Sequence, residues 1–169
     1  NQLNAIEQTL LEKNFRGVEI DYREVDALPS ARADFVFLMT RMAERLHASN
    51  KELIVRVASP VQISAEDWDT LGYDWVALSR VVDKLVVPAP LDPRAYRADG
   101  EMDALLSWAT EMVERRKLQI ELPVQSVETV GNYLFVKGYK EALQPLLAEI
   151  NAENNGQEIS LTVDNPRLA

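Results

Sequence analysis

Residues 15–60 read FRGVEIDYREVDALPSARADFVFLMTRMAERLHASNKELIVRVASP, and this stretch decides the fold class. Residues 18–22 alternate apolar and mostly charged side chains, which is typical of a strand. Over 32–48, apolar residues recur at helical spacing and predict an amphipathic helix. Residues 52–58 are rich in branched side chains and predict a second strand. Strand, helix and strand in this order indicate a parallel sheet covered by helices.

The same alternation extends on both sides of this stretch. Helices are predicted over 2–13, from a cap at Asp74 through 80, and over about 100–115. Strands are predicted at 84–87 and 117–124. The weaker pattern that follows predicts a strand at 133–136, a helix at 139–153 disturbed by Pro145, and a strand at 158–163. The fold class is therefore α/β, as either half of a (β/α)8 barrel or a small doubly wound sheet.

Composition excludes several classes of function. The 169 residues carry 18 basic and 27 acidic side chains, evenly spread, which argues against a nucleic-acid partner. No apolar run reaches the ~20 residues that a membrane span needs. The chain has no cysteine and a single histidine, His47, and Gly17 stands outside any glycine-rich phosphate loop. We therefore expect no nucleic-acid or membrane partner, no metal and no cofactor.

The charged strand at 18–22 carries the strongest chemical signal. Alternation places Glu19, Asp21 and Arg23 on one side of it. Carboxylates at the end of a parallel strand lie where barrel enzymes place catalytic groups. The alternative is that Arg23 pairs with Asp21 and Glu19 in a neutralised cluster, and spacing alone favours that alternative.

Residues 15–60 resemble the fourth and fifth strands of the family 18 glycoside hydrolases, in particular their bacterial chitinase-like and spore-cortex or peptidoglycan-associated branch. That family carries a motif D-G-x-D-x-D-x-E. The stretch GYDWVALSRVVDKLVV at 72–87 is similar to the family's next helix and sixth strand, and RRKLQIELPV at 115–124 to its seventh strand. The resemblance implies a TIM-barrel-like fold of which strands four to seven are present. It implies a partial barrel over 1–125. Residues 126–169 are not clearly matched, and we expect them to form a C-terminal α/β segment that completes or covers the same domain.

The family motif is altered in this sequence. Gly17 matches its glycine and Asp21 its third aspartate, whereas Glu19 stands where an aspartate is expected and Arg16 replaces the first aspartate. The family's proton-donating glutamate is replaced by Arg23, and a guanidinium cannot donate a proton near neutral pH. The resemblance therefore implies that hydrolysis is lost.

Two further positions bear on the altered site. Glu24 is adjacent to Arg23, but alternation directs it to the opposite side unless a bulge turns it inward. In the sixth strand, residues 87–92 read VPAPLD, where the family has a tyrosine that lines the sugar site, and only Asp92 offers a match to its acid. The candidate catalytic residues are accordingly Asp21, Glu19 and Glu24, in a degenerate arrangement.

Four residues are candidates for substrate binding: Trp68, Arg56, Asp92 and Glu121. Trp68 lies in the loop after the fifth strand and offers a face for a sugar ring, with core packing as the alternative. Arg56 is expected to pair with Asp21 or Glu19 inside the barrel, with an exposed edge as the alternative. Glu121 is expected to join the same polar layer.

These observations lead to one preferred functional hypothesis and two rivals. The preferred one is a non-catalytic family 18-like module that binds N-acetylglucosamine-containing glycans, chitin-type or peptidoglycan, in an extracellular or cell-envelope protein of bacteria. The rivals are an active glycosidase with a displaced acid at Glu24, and a purely structural or interaction domain. The outer strands of a half barrel would be unpaired, so we expect the missing barrel half or self-association to cover them.

Overall fold

The computed structural model describes residues 2–64, 66–131, 133–143, 149–154 and 159–164. The helices are α1 Gln2–Glu12, α2 Pro29–Ala48, α3 Trp75–Val81, α4 Glu101–Met112 and α5 Tyr139–Leu143. The strands are β1 Gly17–Ile20, β2 Glu52–Arg56, β3 Val61–Gln62, β4 Trp68–Asp69, β5 Lys84–Pro88, β6 Leu118–Glu121, β7 Ser126–Val130, β8 Tyr133–Lys137, β9 Glu149–Asn154 and β10 Ile159–Asp164. A short 3-10 helix spans Pro93–Tyr96.

The predicted α/β class is confirmed by a four-stranded parallel sheet in the order β1-β2-β5-β6. Strand order follows chain order, so right-handed crossovers place the connecting helices on one face of the sheet. A doubly wound sheet would reverse direction and carry helices on both faces. Within the described residues, β1 and β6 are edge strands of this sheet and no closed barrel is formed.

The core lies between the helices and one face of the sheet. In β2 the side chains alternate, with Leu53 and Val55 fully buried and Arg56 partly exposed on the other face. The buried strand residues form one cluster with apolar residues of α1 to α4, including Met39, Leu78 and Leu105. The opposite face carries charged side chains such as Arg56 together with the apolar Ile54 and Val86.

Local sequence explains where several elements begin and end. Helix α2 starts at Pro29 instead of near 32, because proline is well suited to the first turn of a helix, where its missing N–H is not needed. It ends before Asn50, which adopts a left-handed φ of 55°. The predicted cap of α3 is confirmed, since the Asp74 carboxylate accepts a hydrogen bond from the Ala77 N–H at 2.9 Å.

Two predictions about elements were wrong, and one pair of strands was not predicted. Strand β1 ends at Ile20, two residues earlier than the alternation indicated. The strands β3 and β4, which pair antiparallel, have two residues each and are too short to show a recognisable alternation of apolar and polar residues. Residues 149–154 are a strand paired antiparallel with β10 instead of the end of a helix over 139–153, because that pairing satisfies the backbone where Pro145 opposes a continuous helix. Residues 144–148 lie outside the described residues.

The chain divides into two compact units, one of Asn1–Pro90 with Arg94–Pro123 and one of Leu91–Pro93 with Val124–Ala169. The first contains the parallel sheet, the β3–β4 hairpin and α1 to α4. The second contains an antiparallel β7–β8 hairpin with α5 against β7, and the β9–β10 hairpin. That residues 126–169 complete or cover the domain formed by 1–125 stays a prediction. Among the described helices, none combines the length and the apolar character needed to cross a membrane.

Candidate functional site

Three charged residues meet at the carboxyl edge of the parallel sheet. Asp21 directly follows β1, Arg56 is the last residue of β2, and Glu121 is the last residue of β6. In parallel sheets the carboxyl ends of the strands lie at one edge, and this edge carries the functional groups of barrel enzymes. The topology therefore brings together side chains that are 35 and 65 positions apart in the sequence.

Arg56 holds the two carboxylates. Its Nη1 lies 3.5 Å from Asp21 Oδ1, and its Nε donates to Glu121 Oε2 at 2.5 Å. Strand β5 lies between β2 and β6, and Pro88, which is paired in register with Glu121, has no polar side chain at this level. The Arg56 side chain therefore spans β5. The predicted pairing of Arg56 with Asp21 is confirmed, and Glu121 belongs to the same polar layer.

Arg23 is the second cation on Asp21. Its Nε and Nη2 donate to Asp21 Oδ2 at 3.0 Å and 2.9 Å. The hydrogen bond from Arg23 lowers the pKa of the Asp21 carboxyl below its usual range, and the charges of Arg23 and Arg56 act in the same direction against a partial burial that raises it. The same contact raises the pKa of Arg23. Asp21 is consequently ionised near neutral pH.

Glu19 does not take part in this ion-pair group. Among the described residues, no hydrogen bond or ion pair joins it to Arg23 or Arg56, so the expected pairing of Arg23 with both carboxylates is found only for Asp21. Glu19 lines a different feature, a largely apolar cavity of about 520 Å³ between α1 and the edge strand β1. Its catalytic assignment stays a prediction.

Glu24 requires a correction of the argument made from alternation. Because β1 ends at Ile20, the period of two does not extend to Arg23 and Glu24. Glu24 itself has a φ of 61°, the left-handed region that residues other than glycine rarely adopt. Its direction therefore follows from an irregular backbone, and its catalytic role stays a prediction.

Sequence reasoning missed the residues that hold the segment after β1 in place. The Tyr73 hydroxyl donates to the Tyr22 carbonyl at 2.5 Å, and Tyr73 is only 2% exposed. Burial raises the pKa of Tyr73. A Cβ on Gly72 would lie 2.0 Å from the Val25 carbonyl oxygen. The two chain segments therefore approach each other more closely than a residue with a side chain at position 72 would allow. The signal in the sequence was the Gly-Tyr pair ahead of the Asp74 cap.

The three tryptophans lie apart from the charged group. Trp68 is 5% exposed, belongs to the core cluster under the helices and stacks on Trp108 with ring centroids 5.9 Å apart. Trp75 contacts the same Trp108 ring at 5.1 Å. Core packing, the alternative for Trp68, is thus observed, and its assignment to substrate binding stays a prediction. Asp92 belongs to the second unit, and its assignment also stays a prediction.

The single histidine and the acidic residues form no metal centre in the described part of the chain. His47 Nε2 lies 2.9 Å from Asp83 Oδ2, at the opposite, amino end of the strands. No group of three or more histidine, aspartate or glutamate side chains is placed to hold a metal ion within the described residues. The charged group at the carboxyl edge contains two cations and two anions.

Comparison with known proteins identifies the fold. No family model and no curated protein matches this chain. Among solved structures, a chitinase of Chromobacterium violaceum is 19% identical with a TM-score of 0.66, and covers 98% of this chain and 55% of its own. A class V chitinase of Pseudomonas fluorescens is 22% identical with a TM-score of 0.61, covering 96% and 54%. The spore cortex-lytic enzyme SleL of Bacillus megaterium is 17% identical with a TM-score of 0.62, covering 95% and 42%.

The identities are all below a quarter, so the likeness concerns the fold. The chain spans about half the length of the structures it matches. About half of a TIM barrel would contain a parallel sheet in sequential strand order, with its helices on one face. The chain therefore has the chitinase-like fold of the family 18 glycoside hydrolases.

Proposed function

We propose that the chain forms a non-catalytic module with the family 18 fold that binds N-acetylglucosamine-containing glycans at the carboxyl edge of its sheet. One observation carries the proposal: the Asp21 carboxylate is held by the guanidinium groups of both Arg23 and Arg56. The site is thereby neutralised by its own side chains. It retains polar groups that can donate to and accept from sugar hydroxyl and acetamide groups.

The loss of hydrolysis follows from proton chemistry. In this family a carboxylic acid protonates the glycosidic oxygen, while the N-acetyl group of the substrate acts as the nucleophile. From the resemblance to the family motif we assign Arg23 to the position of that acid, and arginine holds its proton throughout the accessible pH range. Asp21 cannot take over the role, because its lowered pKa leaves it ionised near neutral pH.

The choice of glycan is supported by the structures that share the fold. Their names describe chitinases and a spore cortex-lytic enzyme, and one group IV chitinase of Ostrinia furnacalis was solved in complex with allosamidin. By analogy we propose chitin-type or peptidoglycan ligands for this chain, and a place outside the cell or in the cell envelope of a bacterium. This step rests on likeness of fold.

An active glycosidase with Glu24 as the acid is the second candidate, and one observation favours it. A left-handed backbone at a residue other than glycine stores strain, and such strain concentrates at functional sites. The Glu24 side chain is exposed, so a substrate can reach it. A purely structural or interaction domain is the third candidate.

A hydrolysis assay and a binding titration separate the three. We expect no turnover of chitooligosaccharides or muropeptides by the wild-type chain, and saturable binding by calorimetry that weakens in Arg56→Met. Turnover that is abolished by Glu24→Gln, with the exposed Glu111→Gln as the matched control, would establish the glycosidase. Absence of both turnover and binding would leave the structural role.

We also propose that the edge strand β1 is covered by the missing half of a barrel or by a second copy of this chain. Residues beside it, such as Phe15 and Leu11, are each 54% exposed. Unpaired apolar strand edges promote association. We expect sedimentation of the 169-residue chain to show concentration-dependent self-association, and a strictly monomeric chain would contradict this.

A further inference from the structure

An exposed aromatic side chain, Tyr96, lies beyond the carboxyl ends of the parallel strands. Directly after β5, the N–H of Ala89 donates to the Glu121 carbonyl oxygen at 2.9 Å. The next carbonyl along the chain, that of Pro90, accepts a hydrogen bond from the Tyr96 hydroxyl at 2.8 Å. Two hydrogen bonds and a short piece of chain therefore join Tyr96 to Glu121, which belongs to the ion-pair group at this edge of the sheet.

The backbone that carries Tyr96 is held on both sides. The preceding residue, Ala95, is only 5% exposed and anchors the short 3-10 helix. A Cβ on Gly100 would lie 2.4 Å from the Ala95 carbonyl oxygen, so the loop folds back closely on itself. The N–H of Asp99 donates to Asp103 Oδ2 at 3.1 Å and ties the loop to the first turn of α4. The Tyr96 ring is thus placed on a well-packed loop.

The ring of Tyr96 is accessible although its hydroxyl group is engaged. The side chain is 44% exposed, and burial of the remainder raises the pKa of Tyr96, so the hydroxyl stays protonated and keeps donating to Pro90 near neutral pH. The accessible part is therefore aromatic surface. Such a surface packs well against the C–H face of a pyranose ring. A ring that is held before binding also loses little conformational entropy when a ligand packs against it.

The neighbouring ion-pair group limits the chemistry of the ligand. The guanidinium groups of Arg23 and Arg56 balance the carboxylates of Asp21 and Glu121, so these four side chains carry no net charge. They offer donors and acceptors to an uncharged polar ligand such as a sugar. We infer that Tyr96 is a glycan-contacting residue, whose ring packs against one pyranose ring while the ion-pair group binds hydroxyl or acetamide groups. This inference rests on the proposed glycan-binding function and names a residue that contacts the sugar.

Fluorine NMR can observe the proposed contact directly. The chain has five tyrosines, so incorporation of 3-fluorotyrosine gives five signals, and the one from Tyr96 is identified by its loss in Tyr96→Phe. We expect chitotriose or a disaccharide muropeptide, titrated to millimolar concentrations, to shift the Tyr96 signal saturably. The Kd from this shift should equal the Kd that calorimetry gives for the same ligand.

Variants separate the aromatic contact from other effects. Tyr96→Ala is expected to weaken the Kd about tenfold, whereas Tyr96→Phe, which keeps the ring, should stay within about twofold of the wild type. Phe37→Ala, which removes a 67% exposed aromatic side chain on α2, is the matched control and should bind as the wild type does. Thermal unfolding checks that each variant is folded.

The outcomes distinguish this inference from the function on which it rests. Binding by the wild type without a shift of the Tyr96 signal, or equal Kd values for a folded Tyr96→Ala and the wild type, would overturn the role of Tyr96 and leave the glycan-binding function standing. Absence of binding by the wild type to either ligand would overturn both. If Tyr96→Ala does not fold, the fluorine titration of the wild type decides.

Discussion

The Arg56 guanidinium reaches across an intervening strand to the Glu121 carboxylate, with 2.5 Å between Nε and Oε2. Their own strands, β2 and β6, are separated by β5. The same guanidinium contacts Asp21 beyond β1, so one side chain links the ends of three strands. An ion-pair network therefore joins the strand ends at the carboxyl edge of the sheet, where barrel enzymes carry their reacting groups.

Breaking this ion-pair network should lower the free energy of unfolding and change the pKa of Asp21. We expect Arg56→Met to destabilise the fold by about 1 kcal/mol, because the side chain is only 22% exposed and its loss leaves two carboxylates without their shared cation. The pKa of Asp21 should rise, since one of the charges that lower it is gone. Urea unfolding and carboxyl NMR titration measure the two effects.

The control for this prediction is an exposed ion pair. Arg41 is 58% exposed and pairs with Glu44 on the surface of α2, where such pairs contribute little. Arg41→Met should therefore leave the unfolding midpoint nearly unchanged. A double-mutant cycle of Arg56→Met with Glu121→Gln that gives no coupling energy would contradict the network.

The segment after β1 should depend on two residues from the loop before α3. Gly72→Ala places a Cβ 2.0 Å from the Val25 carbonyl oxygen, and backbone at that distance cannot yield locally. We expect a loss of about 2–4 kcal/mol of stability. Tyr73→Phe, which removes only the hydrogen bond to Tyr22, should cost about 1 kcal/mol.

The matched control is Gly138→Ala. A Cβ there would meet its nearest neighbour, Glu141 Oε2, at 3.7 Å, an ordinary contact. Thermal unfolding of the three variants provides the comparison. Equal midpoints for Gly72→Ala and Gly138→Ala would show that the close approach to Val25 does not exist in solution.

The sequence predicted those parts of the fold that rest on long periodic patterns. The helical stripe of Phe35, Met39 and Met42 and the branched residues of β2 are read from one element at a time, and both elements were confirmed. The hairpin of β3 and β4 could not be predicted because two residues establish no period. The helix predicted over 139–153 was wrong from 149 onward, because the strand pairing of 149–154 with β10 cannot be read from the local pattern.

The same distinction applies to the candidate site: features that follow from the sheet topology could be predicted, and those that depend on irregular segments could not. Membership of Asp21, Arg56 and Glu121 in one layer follows from the parallel topology, which brings strand ends together. The backbone of Glu24 does not follow from alternation, because the strand ends before it. The contact of Tyr73 with Tyr22 joins positions 51 residues apart in two irregular segments, and no local pattern encodes it.

Acid should weaken the fold partly through Asp83. Burial raises the pKa of Asp83, but the Leu53 N–H at 2.8 Å, His47 and Lys117 outweigh it, so the folded pKa lies below the model-peptide value of 3.8. A lowered folded pKa gives stability that is present above the unfolded pKa and is lost as pH falls through the folded one. The contribution should therefore be complete at pH near 7 and disappear below about pH 4.

The test compares Asp83→Asn with the wild type at neutral and acid pH. Because the Asp83 side chain is 36% exposed and partly screened, we expect a loss of at most about 1 kcal/mol at neutral pH. The difference should narrow as pH falls below about 4. Asp34→Asn, at an exposed position of α2, is the control. If the difference in unfolding free energy between Asp83→Asn and the wild type instead grows in acid, the pKa of Asp83 is raised by folding and not lowered.

A carboxylic acid introduced at position 23 is not expected to produce an efficient hydrolase. Under the proposed match of Arg23 to the acid of the family motif, Arg23→Glu supplies that acid and frees Asp21 from one of its two cations. Arg56 still holds Asp21 and Glu121, however, and the segment 87–92, VPAPLD, has no tyrosine to line a sugar site. Transition-state stabilisation requires these groups together, because catalytic residues that act as a unit are strongly non-additive.

We therefore expect trace turnover of chitooligosaccharides by Arg23→Glu at most, and none by the matched control Arg23→Gln. Both variants should retain glycan binding, since the arginine at 56 is unchanged. Reducing-end release and calorimetry measure the two properties separately. Turnover by Arg23→Glu approaching the typical enzymatic range of about 1–1,000 s⁻¹ would contradict this expectation, because it would show that the ion pairs of Arg56 with Asp21 and Glu121 do not prevent catalysis.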